Sequence, residues 1–174
     1  MEKLVDTGRI LAGGKGANQA VALARFNVPT SLIAHDSAGD LLLTTLQHIG
    51  HLDLSMVRRV KSTITGKAFI LVTPQGENAI VLVGGGNMTD WPRELTRAMT
   101  QTIQQSDSVM LQREIPDAVN FQVAQCAKKY NRPVFLDIGG VDSHVDPVLW
   151  PLIVSDGDRV PVITTRQCPR DIAC

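Results

Sequence analysis

Apolar and polar positions along the chain alternate in a way that predicts helices and short strands in turn. Apolar residues recur at helical spacing in four segments, which predicts helices over 20–27, 41–49, 91–105 and 117–130. Short apolar runs predict strands over 30–35, 108–112 and 133–138. Strands separated by helices long enough to cover a sheet are typical of a parallel sheet with helices packed on it. The pattern therefore predicts an α/β fold.

Prolines and glycines mark the expected ends of these elements. The first helix should stop before Pro29, because proline cannot continue a helix and restricts the residue before it. Gly50 should end the second helix. Thr89 or Asp90 is expected to cap the third helix, with Pro92 near its first turn.

The middle of the chain departs from this alternation, because three β-rich runs follow one another without a helix. They cover 57–60, 67–73 and 79–83. Residues 74–78 lie between the last two runs and have the right length for a hairpin loop. The pattern predicts antiparallel strands that form either a plain hairpin at the sheet edge or a lid, and it does not separate these two.

The periodic pattern is lost near the C-terminus. Residues 155–159 are a polar turn, 160–163 are apolar enough for one strand, and 164–174 show no period. The 174 residues suffice for one domain with a sizeable core. We therefore expect one α/β unit over 1–154 and an irregular tail over 155–174.

Composition narrows the classes of function. The 17 basic residues balance the 17 acidic ones, so nothing indicates a nucleic-acid partner. No apolar run has the length of a membrane span, and the charges within 1–11 are unlike a signal peptide. These features predict a cytoplasmic protein with reduced thiols and without a membrane partner.

Cysteine and histidine spacing predicts no metal site. The cysteines lack ligand spacing, and the histidines form no recognisable ligand set; they are Cys126, Cys168, Cys174, His35, His48, His51 and His144. We expect each histidine to be a surface or loop residue.

Candidate binding residues lie where three glycines precede the first helix. Residues 13–18 read Gly-Gly-Lys-Gly-Ala-Asn. Glycines allow a sharp turn, and the free N–H groups of a helix N-terminus suit a hydroxyl-rich or anionic ligand. Lys15 and Asn18 can donate hydrogen bonds to such a ligand. The stretch matches neither a phosphate-binding P-loop nor a dinucleotide fingerprint, and a plain glycine-rich helix cap with an exposed lysine remains the alternative.

Two acidic residues lie at predicted strand ends. Glu114 follows the strand 108–112, and Asp137 lies near the end of the strand 133–138. Both are in site-like positions, because ligands of open α/β sheets bind beyond the carboxyl ends of strands.

Two of these stretches resemble motifs of the ribokinase-like (PfkB) family of carbohydrate kinases, and its ribokinase branch in particular. Residues 13–20, Gly-Gly-Lys-Gly-Ala-Asn-Gln-Ala, resemble its first signature, which implies that Gly13, Gly14, Lys15 and Asn18 line a sugar pocket. Residues 111–116 resemble the strand end Leu-x-x-Glu, which implies that Glu114 accepts hydrogen bonds from sugar hydroxyls. For Glu114, a salt bridge with Arg113 or an acid preceding the helix at Asp117 remains the alternative.

The resemblance also implies a fold and an activity. The fold would be a three-layer α/β sandwich with a mostly parallel sheet and a small β-lid over about 57–87, here incomplete. The activity would be ATP-dependent phosphorylation of D-ribose at its 5-hydroxyl, with magnesium and potassium. The family's lid also contributes to a dimer contact, which implies a homodimer through the lid. Residues 135–142 are similar to the plant-type branch; we expect Asp137 and Asp142 to form a loop and assign them no role.

The resemblance covers residues 7–152, which correspond to the front half of such a kinase. The sequence contains neither the family's Asn-x-Asp strand nor its second signature, Asp-Thr-x-Gly-Ala-Gly-Asp, and the turn at 35–39 is shortened. We therefore assign no catalytic residue and expect this chain alone to be inactive.

Three interpretations stay open at this point. The first is a ribokinase-type sugar kinase represented by an incomplete chain. The second is an inactive truncated module that retains sugar contacts or the dimer surface. The third is an unrelated nucleotide-binding α/β domain.

Overall fold

The computed structural model of the chain describes residues 11–36, 40–60, 63–139 and 144–153. Four α-helices lie in these parts: α1 Lys15–Arg25, α2 Asp40–Leu46, α3 Arg97–Gln105 and α4 Asp117–Lys129. The strands there are β1 Thr30–Ser31, β2 Ala34–Asp36, β3 Leu52–Asp53, β4 Val57–Arg59, β5 Lys67–Val72, β6 Asn78–Val83, β7 Val109–Gln112 and β8 Val134–Asp137. Two 3₁₀-helices span Gly85–Met88 and Pro147–Leu152. The predicted tail 155–174 lies outside the described residues.

Parallel pairing dominates the strands, as the sequence pattern predicts. Strand β1 pairs in parallel with β3, β2 with β4, and β7 with β8. In the last pair Gln112 lies opposite Asp137, so both strands end at the same edge. The α/β fold class is confirmed, with the described strands forming four two-stranded sheets that are mostly parallel, and the carboxyl ends of β7 and β8 lie side by side.

Helix α4 holds the larger of two hydrophobic cores. Its residues at helical spacing pack against β7, β8 and the 3₁₀-helix Pro147–Leu152. Val119, Val123 and Ala127 are buried, whereas Cys126 is only partly buried beside them. Full burial of one such valine stabilises a fold by about 1.5–3 kcal/mol. The second core joins α1 to the strands before the lid through Ala17, Ala20, Val21, Leu32 and Leu46.

Helix α3 begins six residues later than its predicted start at Trp91. Thr96 is its N-cap, and the Thr96 hydroxyl accepts a hydrogen bond from the Met99 N–H at 3.2 Å. The expected cap at Thr89 or Asp90 is therefore wrong. Asp90 has a φ of 60°, in the left-handed region, whereas an N-cap residue typically has extended backbone angles such as those of Thr96.

The predicted strand over 30–35 is divided into β1 and β2, because the two pieces pair with different partners. The Leu32 N–H still bonds to the Asp53 carbonyl at 3.0 Å, where the β1–β3 ladder ends. Helix α1 starts at Lys15, inside the glycine stretch rather than at Ala20. The backbone N–H groups of Lys15, Gly16 and Ala17 therefore lie in the first turn of the helix.

The segment predicted as a plain hairpin or a lid forms the antiparallel hairpin β5–β6, with Lys67 opposite Val83 and Val72 opposite Asn78; its role as a lid stays a prediction. The turn between the strands includes Gly76 at a φ of +88°. The hairpin is confirmed, but the predicted lid range of 57–87 begins too early. Strand β4 pairs in parallel with β2 and belongs to the α/β part of the chain.

Candidate functional site

The N-terminus of helix α1 is completed by a side chain from a distant part of the chain. Gly14 is the N-cap, with φ 100° and ψ 140°, and has no side chain to bond the free N–H groups. The backbone N–H of Lys15 donates instead to Oε2 of Glu114 at 2.7 Å. A carboxylate is stabilised at this end of a helix, where the N–H groups and the helix dipole are positive. Glu114 therefore caps α1 from the end of β7.

Glu114 is held in place by its own neighbours. The Glu114 N–H donates to the side-chain carbonyl of Gln112. The Asn120 amide, fully buried on α4, donates to the backbone carbonyl of Gln112 at 2.8 Å. These bonds tie the strand end to α4, so the carboxylate position is set by both β7 and α4.

The alternative pairing of Glu114 with Arg113 is wrong. The Arg113 guanidinium forms a salt bridge with Asp117 at 2.9 Å and donates to the His144 carbonyl at 3.2 Å. Glu114 does act as a helix N-terminal acid, but at α1 rather than at α4. The sequence could not reveal this, because 99 residues separate Glu114 from Lys15.

Asp137 lies beside Lys15, although no role was assigned to it from the sequence. It ends β8, is 1% exposed, and forms a salt bridge with Lys15 through Nζ and Oδ2 at 3.0 Å. Its Oδ1 accepts the Gly139 N–H at 2.9 Å. Asp142 lies outside the described residues. For Asp137 the expected loop-forming contact is present in its bond to the Gly139 N–H, whereas its salt bridge with Lys15 was not predicted. Its place at a strand's carboxyl end, before glycines, was the available signal.

The structure thus brings Gly14, Lys15, Glu114 and Asp137 together at one edge of the β7–β8 pair. Gly13 directly precedes this group, and Asn18 lies one turn along α1, where its N–H bonds to the Gly14 carbonyl at 2.9 Å. The cluster combines a carboxylate acceptor, an ammonium donor and helix N–H groups. Alternating donors and acceptors of this kind suit a ligand with several hydroxyl groups.

His35 differs from its expected place at the surface. It lies on β2, is 5% exposed, and its ring stacks on Trp91 with centroids 4.1 Å apart. Burial lowers the pKa of His35, a hydrogen bond with the Thr89 backbone opposes the shift, and the Arg58 charge adds to it. The other histidines, His48, His51 and His144, are exposed as predicted.

Two further features bear on the class of site. Within the described ranges, no three His, Cys, Asp or Glu side chains converge so that they could hold a metal ion. No helix in the described part of the chain is long and apolar enough to span a bilayer.

The chain is similar in sequence and fold to known proteins. The family model "pfkB family carbohydrate kinase" matches residues 2–148. The ribokinase of Arabidopsis thaliana is 41% identical over 145 residues, which are 80% of this chain and 38% of that protein. The ribokinase of Staphylococcus aureus (strain COL) is 34% identical over 128 residues, 72% of this chain and 41% of that protein.

Solved structures agree with the sequence relatives. The structure of Arabidopsis thaliana ribokinase complexed with ribose and ATP superposes with a TM-score of 0.79 at 39% identity. The match covers 85% of this chain and 49% of that one. Ribokinase from Thermotoga maritima superposes with a TM-score of 0.67 at 30% identity, over 81% of this chain and 45% of that one. The chain therefore spans less than half the length of these relatives, and it belongs to the pfkB family of carbohydrate kinases.

Proposed function

We propose that this chain is the sugar-binding half of a ribokinase, whose reaction is ATP-dependent phosphorylation of D-ribose at the 5-hydroxyl. The observation that carries the proposal is the junction of Glu114 with the N-terminus of α1, where Lys15 contributes both a backbone N–H and an ammonium. Support also comes from the Arabidopsis ribokinase, which was solved with ribose and ATP.

The proposed role of each side chain follows from its hydrogen-bonding chemistry. Oε2 of Glu114 accepts the Lys15 N–H, and its other oxygen is an acceptor suited to a sugar hydroxyl. Lys15 and Asn18 act as donors to sugar oxygens. Gly13 and Gly14 let the backbone approach the ring, since a side chain there would occupy the same space.

ATP would supply the phosphoryl group, and magnesium would neutralise its developing charge. No group of three or more His, Cys, Asp and Glu side chains that could hold a metal ion lies in the described residues, and we assign no metal ligand to this chain. The contribution proposed for this chain is therefore confined to the sugar: binding it, orienting it and excluding water around it.

A second function, self-association through the lid, is favoured by the exposure of β5 and β6. Alternate residues of the hairpin point to opposite faces, and both faces present large apolar side chains. Phe69, Leu71 and Val81 share one face, while Ile70, Ile80 and Leu82 share the other, with exposures between 39% and 65%. A two-stranded hairpin has little stability by itself. We propose a second copy of the chain as the partner that covers it.

Isothermal titration of the 174-residue chain with D-ribose, and separately with ATP, tests the proposed function. We expect saturable ribose binding that is weakened in Glu114→Ala and unchanged in Glu94→Ala, which removes an exposed carboxylate of the same type. Thermal unfolding in the same ligands provides a second readout, since a ligand at 100 times its Kd stabilises by about 2.7 kcal/mol. Stabilisation by ATP and not by ribose would support the nucleotide-binding interpretation instead.

A further inference from the structure

The geometry points to Asp137 as a positioning residue for the sugar site, which acts by fixing the Lys15 ammonium. The inference rests on the proposed sugar-binding function, but whether Asp137 fixes the Lys15 ammonium can be tested without any sugar. Asp137 and Lys15 are 122 residues apart in sequence, and their 3.0 Å contact joins the end of β8 to the first residue of α1.

Burial and hydrogen bonding give Asp137 a fixed position. It is 1% exposed, and its Oδ1 is held by the Gly139 N–H at 2.9 Å while Oδ2 faces the ammonium. The Lys15 side chain is 13% exposed, so its long and otherwise mobile stem is confined. A buried carboxylate without its cation would be strongly unfavourable, which keeps the pair together.

Gly139 is part of the same arrangement. A Cβ at position 139 would lie 3.1 Å from Lys15 Nζ and 3.2 Å from Asp137 Oδ1. Those distances are tighter than ordinary contacts, so the ammonium would have to move. The glycine leaves the room in which the ion pair forms, and Gly139→Ala should shift the ammonium or the carboxylate by a few tenths of an ångström without changing any charge.

The two ends of Lys15 are thereby fixed by two different strands. Its backbone N–H bonds to Glu114 after β7, and its ammonium bonds to Asp137 at the end of β8. A donor whose position is set in advance loses less conformational entropy when a ligand binds. Asp137 therefore contributes to sugar affinity through Lys15, without being assigned a contact to the sugar.

The first arm of the test measures Lys15 itself in the absence of sugar. The full chain is treated with an amine-acetylating reagent, and the acetylation of each lysine is followed by peptide mass spectrometry. We expect Lys15 to react more slowly than the exposed reference residue Lys129, and several-fold faster in Asp137→Asn and in Gly139→Ala. Asp107→Asn, which neutralises an exposed aspartate, should leave the Lys15 rate unchanged. An unchanged Lys15 rate in both site variants overturns the inference.

The second arm measures D-ribose affinity by titration in a double-mutant cycle. Asp137→Asn should weaken binding by about 10- to 100-fold, the range for a lost hydrogen bond to a charged group. Lys15→Met should weaken it too, but should add little in the Asp137→Asn background, because Lys15 is already displaced there. If the losses of ribose affinity in Asp137→Asn and Lys15→Met add up in the double variant, Asp137 has a general structural role and the inference is overturned.

The outcomes separate the inference from the proposed function. If the unmodified chain does not bind ribose, the proposed function fails, while the acetylation arm still decides whether Asp137 fixes Lys15. If Asp137→Asn does not fold, as judged by circular dichroism, Gly139→Ala carries both arms. Faster Lys15 acetylation with unaltered ribose affinity would show that the pair exists but does not serve the sugar, and this too overturns the inference.

Discussion

Oε2 of Glu114 accepts the backbone N–H of Lys15 at 2.7 Å, so an acid after β7 completes the first turn of α1. The two residues meet because α1 packs against β7. The glycine turn cannot supply its own cap, since Gly14 has no side chain. One carboxylate thus stabilises a helix terminus and lies among the donors of the candidate sugar site, which makes the following variants informative.

Replacement of Glu114 by alanine should affect sugar binding and stability together. We expect the free energy of ribose binding to become less favourable by about 1.5–3 kcal/mol, because a charged hydrogen-bond acceptor is lost. The free energy of unfolding should also fall by about 0.5–2 kcal/mol, as for other lost helix caps. Titration calorimetry and urea unfolding measure the two effects, with the exposed Glu94→Ala as the control. Full ribose affinity in Glu114→Ala would remove Glu114 from the sugar site.

Replacement of Gly14 by valine should abolish ribose binding while most helix content remains. Gly14 has a φ of +100°, and this backbone conformation costs other residues about 1–3 kcal/mol. The Cβ of a substituted side chain would lie 3.5 Å from Oε2 of Glu114. Smaller losses are expected for Lys15→Met and Asn18→Ala. Gly50→Ala is the matched control, since a Cβ there meets nothing within 4 Å. Normal binding by Gly14→Val would reduce the glycine turn to a helix cap.

The buried His35 should make stability depend on pH. Burial holds the pKa of His35 below its usual 6.5, although the Thr89 backbone bond and the Asp90 charge oppose the shift. The unfolded chain therefore takes up a proton at a higher pH than the folded one, and the free energy of unfolding falls as the pH drops from 6.5 towards the folded pKa. Above pH 6.5 the contribution of His35 is complete.

Urea unfolding at pH 7.5 and pH 5.5 measures this effect. The stability lost between these two values should be smaller in His35→Gln, which cannot be protonated, than in the unmodified chain or in His51→Gln, which lacks only an exposed ring. Asp53 does not interfere, because hydrogen bonds from Ser55 lower its pKa below 3.8 and its contribution is lost only in more acidic solution. Equal losses in His35→Gln and the unmodified chain would contradict the assignment.

The lid hairpin should mediate self-association. The double variant Leu71→Lys/Ile80→Lys places a charge on each face of the hairpin, and we expect it to be monomeric where the unmodified chain forms dimers or larger species. Phe26→Lys removes an equally apolar side chain, 80% exposed, that is outside the lid, and it should not change association. Analytical ultracentrifugation measures the species present. Association that survives the double variant would place the contact elsewhere.

The 174-residue chain assayed alone should show no ribose-dependent ADP release. The sequence contains no Gly-Ala-Gly-Asp segment to provide the catalytic base and the anion-binding turn. Loss of a base alone typically removes a factor of about 10²–10⁴ in rate, and the missing charge stabilisation lowers it further. A coupled assay with ribose, ATP, magnesium and potassium measures this. Turnover by protein free of host kinases would mean that an aspartate in this chain, such as Asp40 or Asp137, supplies the base.

The sequence by itself determined the features that depend on neighbouring residues. Apolar spacing located α4 and the short strands around it, and the run 74–78 between two β-rich segments located the hairpin turn, because both patterns reflect local periodicity. The glycine stretch and the strand end at Glu114 are expected to line a sugar site because they resemble motifs of the family, and that assignment stays a prediction. The start of α3 could not be located from the sequence, because Thr89, Asp90 and Thr96 are all favourable cap residues and only the structure shows that Thr96 is used.

Only the tertiary structure decided which residues meet across long sequence separations. It placed Glu114 on the Lys15 N–H and Asp137 on the Lys15 ammonium, contacts that arise because α1 packs beside β7 while β7 and β8 end at one edge. It also buried His35 against Trp91, two residues that no local pattern connects. Local periodicity sets the elements of this protein, whereas the charge partners of its site follow from how the sheet brings strand ends together.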